Sequence, residues 1–203
     1  MKKTGLYFGS FNPIHIGHLA IANYMIEFSP DLDHIWFVIS PQNPLKKKST
    51  LLANHHRLHL AELAIGNDPE LEVSDIEFNL PRPSYTIDTL TYLEERYPTN
   101  RFTLIMGADN LSTISKWKNH DMLLEKYEIY VYPRPGYPTD KISGEENIMR
   151  NAKIHIVDAP LIEISSNFIR TSINKGKNIR YFLPPKVYEY IRDMHFYEKQ
   201  EER

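Results

Sequence analysis

Gly5-Leu6-Tyr7-Phe8-Gly9-Ser10-Phe11-Asn12-Pro13-Ile14-His15-Ile16-Gly17-His18 is the stretch from which the fold is read. Residues 5–8 form an apolar, aromatic-rich run of the kind that fills a strand buried on both faces. Gly9 interrupts it, and from Leu19 onward the apolar residues Leu19, Ala22, Met25 and Ile26 recur at helical spacing. A strand, a short loop and a helix in that order make the junction at which α/β folds hold phosphates on helical amides. Gly9 lets backbone approach a ligand closely, and Pro13 constrains the chain's approach to the helix. His15 and His18 are three residues apart and share a helix face once the helix has begun. Their imidazoles can donate to phosphate oxygens, with Gly17 between them leaving room for a nucleotide. One histidine alone at such a place is more simply a surface or capping residue. Two histidines, two glycines and a proline together point to function.

Working outward, similar short runs at 34–39, 102–106, 128–132 and 153–157 read as further strands. Segments of helical period separate them, including Leu58, Ala61 and Ile65, then Ile87, Leu90, Leu93 and Tyr97. This alternation predicts an α/β fold, a Rossmann-like doubly wound parallel sheet with helices on both faces. The whole of 1–203 is expected to form a single domain, with 160–195 as a small C-terminal helical subregion. In that subregion residues 165–174 predict a helix ending at Gly176, and Pro184-Pro185 opens another through about residue 194. The polar tail 198–203 is expected to fray. The loop 40–50, with Lys46-Lys47-Lys48, follows a strand, and ligands bind at the carboxyl ends of parallel strands.

The formal charge is -2 with Lys and Arg spread along the chain, which argues against a dedicated nucleic-acid binder. Absence of cysteine excludes disulfides, iron-sulfur clusters and cysteine zinc sites. No apolar stretch approaches membrane-spanning length, and Met1-Lys2-Lys3-Thr4-Gly5 lacks the pattern of a signal peptide, so a cytoplasmic protein without membrane association is expected.

A second stretch, Ile164-Ser165-Ser166-Asn167-Phe168-Ile169-Arg170, has its own chemistry. Ser165 or Ser166 is a natural helix N-cap, and the exposed amides of the following turn favour a polyphosphate. Arg170 falls one turn after Ser166, with a fork of donors suited to phosphate. Alone, this is an ordinary capped helix with a solvated arginine. Beside His15-Ile16-Gly17-His18 it gains weight, because that tetrapeptide resembles the nucleotide-binding signature shared by nucleotidyltransferases and class I aminoacyl-tRNA synthetases. The second stretch separates the two. It resembles the Ile-Ser-Ser-Thr-x-Ile-Arg signature of nucleotidyltransferases, with Asn167 in place of Thr, while the synthetases' Lys-Met-Ser-Lys-Ser-like loop is not found.

Three more stretches, Pro83-Ser84-Tyr85-Thr86-Ile87-Asp88-Thr89-Leu90, Met106-Gly107-Ala108-Asp109-Asn110-Leu111 with Trp117, and Arg134-Pro135-Gly136-Tyr137, resemble one branch, the bacterial nicotinate mononucleotide adenylyltransferases. The resemblance covers nearly the whole chain. It implies transfer of AMP from ATP to nicotinate mononucleotide, with deamido-NAD and pyrophosphate as products and Mg²⁺ carried in with ATP rather than held at a metal site of the protein. It implies that Tyr85, Thr86, Trp117 and the amide of Lys118 hold the nicotinate ring and carboxylate. Trp117 also suits a cationic flat ring on physical grounds. Arg134 can receive the mononucleotide phosphate and Asp109 the ribose hydroxyls of ATP, although a turn and a helix cap are the plainer accounts of each.

The expected ATP contacts are therefore Gly9, Ser10, Phe11, His15, His18, Lys46, Gly107, Asp109, Ser165, Ser166 and Arg170, with His18 and His15 as the catalytic pair. Phe8 and Asn12 depart from the Gly and Asp usual in the first signature, and Asn43-Pro44-Leu45-Lys46 stands where Pro-His-Lys is common, so only Lys46 is carried across. The competing readings are an enzyme accepting nicotinamide mononucleotide or both forms, another nucleotidyltransferase such as one acting on phosphopantetheine, and a nucleotide sensor without catalysis. A homo-oligomer is compatible with the sequence. His55, His56 and His59, which offer an i, i+4 pair, are read as exposed or satisfied helix residues, and so is His120.

Overall fold

The run that ends at Gly9 forms one of the two central strands of a six-stranded sheet. In the computed structural model, which describes residues 2–29, 31–41, 51–138 and 152–199, the strands are β1 (Lys2–Gly9), β2 (His34–Ile39), β3 (Leu71–Ser74), β4 (Asn100–Gly107), β5 (Glu128–Tyr132) and β6 (Lys153–Ile156). Their order is β3-β2-β1-β4-β5-β6, and every neighbouring pair is parallel. The helices are α1 (Ile16–Phe28), α2 (Asn54–Ile65), α3 (Thr86–Arg96), α4 (Ala108–Leu111), α5 (His120–Lys126), α6 (Ser166–Asn174) and α7 (Pro185–Asp193). No described helix is long and apolar enough to cross a membrane.

Strand residues alternate between the two faces. Tyr7, Phe37 and Ile105 join Ile21, Met25 and Leu60 of α1 and α2 in one buried cluster, which also takes in Ile169 of α6 and Val187 and Ile191 of α7. Their strand neighbours Leu6, Trp36 and Leu104 point the other way, onto Ile87, Leu90 and Leu93 of α3 and Leu123 of α5. The sheet is thus wound doubly, as the alternation of runs predicts. Strand order reverses between β1 and β4, and such a switch point opens a crevice at the carboxyl ends of those strands. The registers Gly9↔Ile39, Tyr7↔Ile105 and Gly107↔Tyr132 set the loops after β1, β2, β4 and β5 side by side along that edge.

The ends of α6 match expectation. Ser165 is its N-cap, accepting from the Phe168 N–H at 3.1 Å, and Gly176 just beyond the helix has φ +67. β3 has no counterpart in the sequence reading, because Leu71-Glu72-Val73-Ser74 is a four-residue edge strand with too little apolar character to register. The single-turn helix α4 and the short α5 fall below the length at which periodicity is visible.

One buried cation organises the edge. Arg57 of α2 is fully buried, at 0% exposure. Its Nε donates to the Leu52 carbonyl (3.0 Å), Nη1 to those of Ser10 (2.7 Å) and Ser40 (2.8 Å), and Nη2 to Pro41 O (3.4 Å) and Asn54 Oδ1 (2.7 Å). Burial lowers its pKa to about 10, which leaves it charged at neutral pH. The guanidinium thereby ties the loops after β1 and β2 to the start of α2. Removing it strands several buried carbonyls, so Arg57→Met is expected to lose on the order of 3 kcal/mol of stability in urea unfolding. A change below about 0.5 kcal/mol, the range of ordinary surface substitutions, would contradict this account of the network.

Candidate active site

The loop after β1 is built from the inside. Phe11 adopts a left-handed backbone (φ +41), and its ring is buried against Tyr7 and Phe37, with centroids 5.6 and 5.4 Å away. A Cβ on Gly9 would lie 2.8 Å from that ring. Gly9 is therefore needed to admit the Phe11 side chain, a reason different from the close ligand approach expected of it. Phe11 presents only backbone toward the crevice, and the Ser10 carbonyl is taken by Arg57.

Asn12, also buried, is the hub of this loop. Its Oδ1 accepts from the Leu52 N–H (3.2 Å) and the Tyr197 hydroxyl (2.8 Å). Its carbonyl accepts from Arg170 Nη1 at 2.7 Å, and the next carbonyl, of Pro13, accepts from the Ser166 hydroxyl at 2.9 Å. The two signature stretches are therefore bonded to each other. Arg170 Nη2 also reaches Asn167 Oδ1 at 3.3 Å.

His15 is the N-cap of α1 and is 3% exposed. The expected shared face is realised as a stack, with the His15 and His18 ring centroids 3.7 Å apart and the planes 26° from parallel. The backbone N–H of His15 donates to His18 Nδ1 at 3.2 Å. An accepting Nδ1 places the proton of a neutral His18 ring on Nε2. His15 Nδ1 is buried with no hydrogen-bond partner among the described residues. Burial, and secondarily the charge of Arg134, lowers the His15 pKa to about 3, so this ring is neutral through the physiological range. Beside Gly17 the space expected for a nucleotide is filled: a Cβ there would lie 2.7 Å from Ile162 Cγ2 and 3.0 Å from His15 Nδ1.

Across the switch point, a Cβ on Gly107 would meet the Asp109 carboxylate and lie 2.9 Å from Arg134 Cγ. Arg134 Nε stands 3.5 Å from Asp109 Oδ1. Asp109 makes no side-chain cap for α4; its carboxylate faces Arg134 instead. In the floor between them and the first loop, the hydroxyls of Tyr7 and Tyr132 share a 3.0 Å hydrogen bond, and burial pushes both phenols up from their ordinary pKa.

Tyr85 is the N-cap of α3 and Thr86 its first residue. Trp117 follows the 3-10 turn Ile114–Lys116, and both Trp117 and Tyr85 pack, partly buried, on the α3 side of the sheet. Lys118 joins their segments, with its ammonium 4.9 Å from the centre of the Tyr85 ring and 2.7 and 3.0 Å from the two Asp88 oxygens. The stretches named for the pyridine ring therefore meet. Lys46 lies outside the described residues.

Sequence reasoning missed Arg57, although Arg57, Leu60 and Ala61 are the buried residues of α2 and their spacing marks one face. It also missed the Asn12 hub and Tyr197, for which no local pattern exists. His56 is satisfied by Tyr190, its Nδ1 3.0 Å from the hydroxyl, and among the described residues no group of three or more His, Cys, Asp or Glu is placed to hold a metal ion.

Residues 6–172 match the cytidylyltransferase-like family, and the chain belongs to that family of nucleotidyltransferases. Its relatives narrow the class. A Flavobacterium johnsoniae protein named "Probable nicotinate-nucleotide adenylyltransferase" is 56% identical over 200 residues, covering 97% of this chain and 100% of the relative. Proteins of the same name from Flavobacterium psychrophilum and Bacteroides fragilis are 54% and 49% identical, over 97% and 93% of this chain and 100% and 90% of their own lengths. The fold is shared with Plasmodium falciparum nicotinic acid mononucleotide adenylyltransferase, solved in complex with NaAD, at a TM-score of 0.78 and 21% identity over 97% of this chain and 98% of that one. The same enzyme in complex with APC gives a TM-score of 0.76 at 21% identity, with the same coverage.

Two outcomes test this geometry. Tyr197→Phe removes a donor to Asn12 Oδ1 and is expected to lose about 1 kcal/mol in urea unfolding. His15 gives a pH signature. In the unfolded chain its imidazole takes up a proton below about pH 6.5, whereas the folded chain does not until about pH 3, so stability falls as pH is lowered through that window. Between pH 6.5 and 5 the wild type is expected to lose roughly 1.5 kcal/mol more than His15→Gln. Parallel stability curves for the two would show that His15 titrates normally.

Proposed function

We propose that this enzyme transfers the AMP part of ATP to the phosphate of nicotinate mononucleotide, forming deamido-NAD and pyrophosphate; that is, it is a nicotinate-nucleotide adenylyltransferase. The observation that carries this reading is the direct bonding of the two phosphate-type stretches at the switch point, Arg170 to Asn12 and Ser166 to Pro13, along the same sheet edge as the paired Tyr85 and Lys118 segments. Relatives of that name span 90% or more of their own length in the alignments.

The chemistry follows from the substrates. A phosphate monoester has a second pKa of about 6, so the acceptor is largely dianionic at neutral pH and needs no general base. Its oxygen attacks the α-phosphorus of ATP; an O–P bond forms as the bond to the bridging oxygen breaks and pyrophosphate leaves. Catalysis then consists of positioning and stabilising charge. His18, with its proton on Nε2, is assigned to the α-phosphate, and neutral His15 stacks behind it as a second donor to the phosphates. Lys46, Arg170 and the first turn of α6 at Ser165 and Ser166 serve the triphosphate; the Ser166 hydroxyl already donates to Pro13, while Ser165 Oγ accepts from Phe168 and keeps its own proton to donate. Gly9, Ser10 and Phe11 contribute backbone, while Gly107 and Asp109 take the ribose. Arg134 receives the mononucleotide phosphate. Tyr85, Thr86, Trp117 and the Lys118 amide hold the pyridine ring and its carboxylate. Mg²⁺ would come in with the ATP substrate and would supply charge neutralisation on its phosphates. The reading places the enzyme in the cytoplasm, with its two substrates.

Pyrophosphate release with Mg-ATP is expected to be much faster with nicotinate than with nicotinamide mononucleotide; comparable rates would make the enzyme dual-specific, and calorimetric ATP binding without turnover of any acceptor would make it a sensor. His18→Ala is expected to lower kcat about 100-fold or more with a much smaller change in KM for ATP. Equal effects on both would reduce His18 to a ground-state binding residue.

A further inference from the structure

Glu77 has no place in the chemistry above, yet it is the most deeply buried carboxylate described, at 2% exposure. It sits in the 3-10 turn Ile76–Phe78 that follows the edge strand β3. Among the described residues no cation pairs with it. Three hydroxyls surround it instead, each from a different segment. Thr89 of α3 donates to Oε1 at 2.8 Å, and burial raises the Glu77 pKa while the nearby hydroxyls of Ser40, just past β2, and Ser84, just before α3, together with Thr89, favour its charged form.

Such a group is a poor source of net stability, since burying a carboxylate without a counter-charge is unfavourable even when it is hydrogen-bonded. What it does well is gather donors: an ionised carboxylate is acceptor-only, with about four lone-pair sites. The partners show what is gathered. The Thr89 hydroxyl also lies 3.3 Å from the carbonyl of Tyr85, so the carboxylate reaches the N-cap of α3 through a single intermediary. Ser40 looks the other way. Its N–H donates to the Gly9 carbonyl at 2.9 Å, and its carbonyl accepts from Arg57 at 2.8 Å.

We propose that Glu77 is a positioning residue that fixes the 84–89 corner, with Tyr85 and Thr86, at a set distance from the loop after β1, and so sets how the acceptor mononucleotide lies relative to ATP. Which substrate the corner holds rests on the adenylyltransferase reading; the mechanical link does not. Misplacement of reacting groups by about 1 Å can lower rates about 100-fold, so a link of this kind has leverage on turnover without touching substrate.

The test compares Glu77→Ala and Glu77→Gln with the full-length wild type, using steady-state kinetics for each substrate and hydrogen exchange. Glu77→Ala is expected to raise KM for nicotinate mononucleotide and lower kcat, each about tenfold, with KM for ATP within about twofold. Amide exchange should rise over 84–90 and stay unchanged over 9–18. Glu77→Gln, which keeps an acceptor oxygen, is expected to return both kinetic parameters to within about threefold of wild type. Should Glu77→Ala fail to fold, Ser84→Ala removes one half-buried donor and is expected to raise the mononucleotide KM about threefold, again sparing ATP. Unchanged kinetics and exchange in these variants, or equal rises in both KM values, would overturn the assignment. A wild type that turns over no nicotinate mononucleotide would instead refute the substrate reading, and the exchange over 84–90 would still decide the role of Glu77.

Discussion

Arg170 donates to the carbonyl of Asn12 and Ser166 to that of Pro13, and the remainder of the crevice depends on these two bonds. A loop leaving the end of a parallel strand has carbonyls that no ladder can satisfy, and when they are buried each must find a donor. Here the donors come from a helix more than 150 residues further along the chain. The helix whose amides suit a triphosphate is thereby set against the loop that presents the stacked histidines. Neither stretch is a site alone. Asn12 consolidates the arrangement, because its side chain recruits Leu52 and Tyr197 while its carbonyl holds Arg170.

Beneath this surface lie two buried ionic groups of opposite sign that do not pair with each other. Arg57 collects carbonyls under the loops after β1 and β2, and Glu77 collects hydroxyls under the corner that begins α3. Ser40 stands between them, its carbonyl accepting from Arg57 and its hydroxyl near enough to Glu77 to favour the charged carboxylate. Among the described residues neither group has a counter-ion, so what they add is geometry: several donors or acceptors focused on one point hold loops that packing alone would leave loose. His15 follows the opposite logic. It is buried neutral, and its low pKa lets it serve as a hydrogen-bonding ring next to Arg134 without adding repulsion.

The alternation of strands and helices, the two-faced core and both signature stretches were legible in the sequence because each is a local pattern. Apolar runs announced β1, β2, β4, β5 and β6, while Ser165 and Gly176 marked the limits of α6. The family could be recognised for the same reason, since His15, His18 and Arg170 lie in short contiguous stretches. β3 escaped notice because an edge strand of four residues buries too little to leave a pattern. The reasons assigned to single residues were less secure. Gly9 accommodates the Phe11 ring and Gly17 accommodates Ile162 and His15, and in neither case does the spacing of residues reveal which atom fills the missing Cβ.

By itself, then, the sequence determined a doubly wound parallel sheet, the position of its nucleotide-type loop and the residue types available there, because hydrophobic period and helix capping act over a few residues. Tertiary structure alone decided which carbonyls Arg57 and Arg170 would satisfy, that Tyr197 would return to Asn12, that the Lys118 ammonium would lie over Tyr85, and that Glu77 would be buried among three hydroxyls. Those contacts join segments far apart in the chain. Buried polar groups bond to whatever the packed layers bring within about 3 Å, and that is settled only when the layers close.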